Sequence, residues 1–118
     1  MLEELLTIHN QFKMLHWQTN SFSEHKALGE AYDSFGEQMD ELVETHFGRY
    51  GRVRPEGGVN IKLYSYELSK PKELCDKARA ILANVREKYE SDGATDLSNI
   101  TDELIGIIDL TEYLLTLS

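Results

Sequence analysis

Cysteine is almost missing from this chain: of 118 residues only Cys75 carries a thiol. A lone cysteine forms no internal disulfide, so the fold must rest on packing, and a reducing compartment such as the cytoplasm suits it. Long apolar runs are missing as well. No stretch approaches the roughly 18 consecutive apolar residues of a membrane span. The opening MLEELLTIHNQF has neither a basic segment nor a small-residue cleavage pattern, so nothing in it reads as a secretory address. Positive charge is scarce: 12 Lys and Arg stand against 21 Asp and Glu, giving a net charge of −9. Duplex affinity depends on neutralising phosphates, so this balance argues against nucleic acid as a partner. The one cationic cluster, GRYGRVR from Gly48 to Arg54, reads as a solvated loop. An acidic protein that forms a groove or shell attracts cations instead.

What the chain does have is helical periodicity, in four segments within a length typical of one domain. The first carries Leu2, Leu5, Leu6, Ile8, Phe12 and Leu15. The second carries Leu28, Ala31, Phe35, Met39, Leu42 and Phe47, and Ser21-Phe22-Ser23-Glu24 before it reads as a capping box. The third runs from Leu74 through Ala78 and Leu82 to Tyr89, with Ser69 as its N-cap and Pro71 in its first turn. The fourth carries Leu97, Ile100, Leu104, Ile108 and Leu115, opening after a stop at Glu90-Ser91-Asp92-Gly93. These patterns predict helices near Leu2–Gln18, Ser23–Phe47, Lys70–Ser91 and Ala94–Leu117. The longest irregular stretch, about 48–69, falls between the second and third, and its VNIKLYSY portion could run extended. Two short links and one long middle connection predict an all-α, ferritin-like four-helix bundle over residues 1–118.

The polar residues that ask for explanation begin with LHWQTNSFSEH, where His16 closes one helix and His25 opens the next. His9 lies seven residues before His16, on the same face; neither His9 nor His46 is given a site. The second helix carries Asp33, Glu37, Asp40, Glu41 and Glu44, and Asp40 and Glu44 are one turn apart, a spacing that lets two carboxylates meet one cation. An in-bundle di-iron centre would use Glu-x-x-His on two helices. The residues three before the four histidines are Leu6, Lys13, Phe22 and Val43, so that centre is not encoded. His25 and Asp40 are about 22 Å apart along one helix, too far to share an ion. Two antiparallel copies of the second helix could bring them together, and Gly29 and Gly36 would let those copies approach closely.

Leu15-His16-Trp17, then Phe22, His25, Tyr32 and Asp40-x-x-x-Glu44, resemble the signature of the Dps family, the mini-ferritins. The resemblance implies a ferroxidase centre at a two-fold interface. His16 and His25 of one subunit would bind iron with Asp40 and Glu44 of the other, and Trp17 would lie beside the site. It implies a homo-oligomer, a dimer at least and a dodecamer at the extreme, acting as a ferroxidase-type oxidoreductase in iron storage or detoxification. Imidazole and carboxylate ligands together suit Fe(II), and Zn(II) accepts the same set. Where the family generally has a carboxylate, one turn after the second histidine, this chain has Gly29, and it lacks the basic tail of DNA-binding members. The competing reading is a structural or interaction bundle that kept the fold and lost the chemistry.

Overall fold

Four helices account for most of the chain in the computed structural model, which describes residues 1–117; Ser118, the last residue of the expected domain, lies outside them. They are α1 (Leu2–Gln18), α2 (Phe22–Tyr50), α3 (Pro71–Ser91) and α4 (Thr95–Leu114). No strand occurs among the described residues, and no described helix is long and apolar enough to cross a membrane. The architecture is the all-α four-helix bundle that the periodicity predicts.

The link between α1 and α2 is held by hydroxyls. The Ser21 side chain accepts from the Glu24 backbone N–H at 3.3 Å, and the Thr19 hydroxyl donates to the Glu24 carboxylate at 2.6 Å. The capping box is therefore half formed: Glu24 turns away from the Ser21 backbone toward Thr19 and Tyr66, whose phenol donates to it at 2.9 Å. At the other end α2 overruns the expected Phe47 by most of a turn, because Gly48 is tolerated inside a helix. Gly51, at φ 95°, then supplies the positive dihedral that stops it. Arg49 is thus part of α2, and only Arg52 and Arg54 of the cationic cluster lie in the connection.

The connection from residue 51 to 70 returns along the whole bundle. The amide of Gln11 holds Tyr64 twice, donating to its carbonyl and accepting from its N–H, both at 2.8 Å. Further on, Gln18 accepts from the Tyr66 N–H at 2.7 Å. The chain is thereby carried from the end of α2 back to its beginning before α3 starts, so α3 runs parallel to α2 and antiparallel to α1. Pro71 occupies the first turn of α3 as expected, but Lys70, not Ser69, precedes it as the cap residue, without a side-chain cap. One apolar core joins all four helices. Phe12 and Phe35 meet at 6.0 Å between ring centroids, in a buried cluster that includes Leu5, Leu28, Leu82 and Leu104. Cys75 is fully buried there, and burial pushes its thiol up to about 11, so it stays protonated and packs as a small apolar side chain.

Candidate functional site

The α1–α2 seam is built from two histidines resting on two glycines. His9 and His16 are seven residues apart on α1; Gly36 and Gly29 are seven apart on the antiparallel α2. A Cβ added at Gly29 would lie 2.8 Å from His16 Cε1, and one added at Gly36 would lie 2.7 Å from His9 Nε2. Each distance is shorter than carbon and ring atoms tolerate. Gly29 and Gly36 therefore do not line a free face ready for a second copy of α2, as the sequence suggested. They are covered by the chain's own imidazoles, and the close approach they allow is to α1.

His9 sits over Tyr32 with ring centroids 4.0 Å apart and planes 8° from parallel, and its Nε2 donates to the Tyr32 carbonyl at 2.9 Å. Burial holds its pKa below the usual histidine value, opposed by that hydrogen bond and by Asp33 and Asp40. Sequence reasoning gave His9 no part. Its heptad relation to His16, matched by the heptad of glycines, was the available signal.

His16 and His25 form the second ring pair, centroids 3.8 Å apart and planes 16° from parallel. Their hydrogen bonds are reciprocal: His16 Nδ1 lies 2.6 Å from the His25 carbonyl oxygen, and His25 Nδ1 lies 2.8 Å from that of His16. A carbonyl can only accept, so each Nδ1 carries the proton. In the neutral rings the lone pair is then on Nε2, and neither Nε2 has a hydrogen-bond partner among the described residues. A carbonyl fixing Nδ1–H while Nε2 stays open is how proteins commonly prepare a histidine for a metal. Phe22, 74 % exposed, lies with its ring centroid 6.4 Å from that of His25, and Trp17, next to His16 in the chain, is 67 % exposed.

Asp40 and Glu44 are exposed on the far part of α2, one turn apart and fifteen and nineteen residues along the helix from His25. The structure brings His16 to His25 and Asp40 near Glu44, but within one chain it does not bring the two pairs together. Among the described residues no group of three or more His, Cys, Asp or Glu is placed to hold a metal ion. A single chain thus keeps the four expected ligands in two separate pairs.

A second cluster, at the opposite end of the bundle, was not anticipated. His46 Nδ1 is 2.7 Å from the Tyr89 phenol, Tyr50 stacks near both, and the Tyr50 hydroxyl donates to Asp92. These residues line an open cavity of about 760 Å³. Burial lowers the His46 pKa and pushes the Tyr89 phenol up to about 12, so the pair is neutral near pH 7. Their part-buried hydrogen bond ties α2 to α3. No curated protein and no solved structure matches the chain. One family model does, over residues 16–115, beginning at the histidine of the stacked pair, and on that match the chain belongs to the Family of unknown function (DUF5856).

Proposed function

We propose that this protein is a divalent-metal-binding bundle of the mini-ferritin kind, which binds and oxidises Fe(II) at a site shared between two subunits. The observation that carries this reading is the reciprocal Nδ1–carbonyl bonding of His16 and His25, which leaves two Nε2 lone pairs uncommitted. The resemblance of Leu15 to Glu44 to the Dps family supports it and supplies the remaining ligands, Asp40 and Glu44 of the partner. Iron is the substrate here, giving its electron to peroxide or dioxygen. The chain's own part is to present imidazoles already oriented, to add carboxylates that favour the higher ferric charge, and to leave coordination positions open for the oxidant.

Anaerobic Fe(II) titration followed by peroxide tests this. Binding should reach up to two sites per dimer and weaken on acidification, because a protonated imidazole has no lone pair to offer. Ferric absorbance should then rise faster than in free solution, and His25→Ala and Asp40→Ala should each abolish the fast phase. A wild type indistinguishable from both variants would leave the second reading, a structural or interaction bundle without metal chemistry. One observation favours that reading: the same reciprocal bonds also clamp α1 to α2 and need no ligand to do so.

A further inference from the structure

A shared site requires two copies of α2 side by side, and the charge on that helix resists it. From Lys26 to Arg49 there is no other lysine or arginine, while Glu30, Asp33, Glu37, Asp40, Glu41 and Glu44 all stand between them. All six are exposed, and none forms an ion pair among the described residues. Helix α4 also lacks cations, but there the chain supplies them: Arg79 reaches Asp109 and Glu112, Arg86 reaches Asp102 and Lys72 reaches Glu112. No such matching exists for α2.

The ligand assignment fixes the register of an antiparallel pair. With His25 opposite the midpoint of the partner's Asp40 and Glu44, Glu30 faces the partner's Glu37, and Asp33 comes beside the partner's Asp33 at the two-fold axis. The one attractive match is Lys26 with the partner's Glu41. Symmetry repeats the Glu30 and Lys26 contacts on the other side of the axis, so the seam without metal is dominated by like charges brought close together, which is unfavourable and worsens as water is excluded. Two divalent ions, one at each shared site, would neutralise the four carboxylates of Asp40 and Glu44 from the two chains. We infer that metal binding and dimerisation are one event: the free chain is a monomer, and a divalent cation joins two copies through α2. This rests on the shared-site reading above and adds to it that the metal gates assembly.

Sedimentation velocity on the full chain, in chelator, with Zn(II) and with anaerobic Fe(II), tests the inference, with calorimetric Zn(II) titration in parallel. The chelated protein should sediment as a 13.5 kDa monomer, and about one Zn(II) per chain should double the mass, reversibly on adding chelator. Glu30 and Glu37 are not ligands, so the exposed double variant Glu30→Gln/Glu37→Gln should dimerise without metal at least tenfold more tightly than wild type. High salt, by screening the same repulsion, should move wild type in that direction. A wild type already dimeric in chelator, with Zn(II) binding that depends on His25, would overturn the gating and leave the site standing. Metal bound by a persistent monomer would overturn both, as would no binding. A double variant as monomeric as wild type in chelator would show that repulsion does not hold the copies apart.

Discussion

The two halves of this bundle close themselves differently. On the α3–α4 half, cations of one helix meet carboxylates of the other: Arg79 of α3 reaches Asp109 and Glu112 of α4, besides Asp76 on its own helix. Glu112 is held below the usual carboxylate range chiefly by its hydrogen bond to Lys72. On the α1–α2 half the helices approach through bare glycine backbone, roofed by imidazoles, and the six acids of α2 from Glu30 to Glu44 form no ion pair among the described residues. Charge is thus matched within the chain on one half and left exposed on the other. The α3–α4 face needs nothing further, whereas the α1–α2 edge ends in open Nε2 atoms and unmatched carboxylates.

The largest expected effect breaks the α1–α2 seam. Gly29→Leu or Gly36→Leu must push aside a ring pinned by its own hydrogen bond, and each should lower stability by about 1–3 kcal/mol in urea unfolding. Arg79→Ala tests the other half. It leaves three carboxylates without their shared cation, but on a partly exposed face, so the loss should be about 1 kcal/mol and should shrink in high salt. Gly106 of α4 sharpens the contrast with the seam glycines, since a Cβ there meets nothing within 4 Å. Gly106→Ala should raise stability by about 0.5–1 kcal/mol through the restricted unfolded chain.

The smallest expected effect is a pH slope. His9 and His46 both have pKa values below the ordinary histidine value in the folded state, so the unfolded chain takes up protons first as pH falls. Stability should therefore be constant above the ordinary histidine range and fall as pH drops from there toward the lowered values. His9→Gln should flatten part of this slope and leave the part belonging to His46, as measured by urea midpoints across pH.

Much of the fold could be read from the residues themselves. Leu, Ile and Phe at three- and four-residue steps mark each helix, and the single long connection between α2 and α3 sets the parallel course of those two. The misplaced ends have local causes. Gly48 does not stop α2 because nothing nearby requires a positive dihedral until Gly51, and Lys70 displaces Ser69 because Pro71 already serves the first turn. The site was legible only as a list of donors. His16 and His25 fall at adjoining helix ends, so their proximity follows from the short link. Their exchange of Nδ1–carbonyl bonds does not, because it depends on how far α1 and α2 approach. That approach is set by Gly29 and Gly36 against His16 and His9, a match between separate segments that no local pattern displays. The Tyr89–His46 contact was hidden for the same reason: its partners are brought together only by the return of the chain.

On the proposed reading, the α1–α2 edge is half of a metal site completed by a second copy. Anomalous scattering from crystals grown with Zn(II) tests it most directly, since zinc accepts the same ligands without redox chemistry. A zinc peak is expected within bonding distance of Nε2 of His16 or His25 of one chain and of Asp40 or Glu44 of its partner, repeated across a two-fold axis between α2 helices. Zinc held only elsewhere, or α2 faces that never meet, would contradict it.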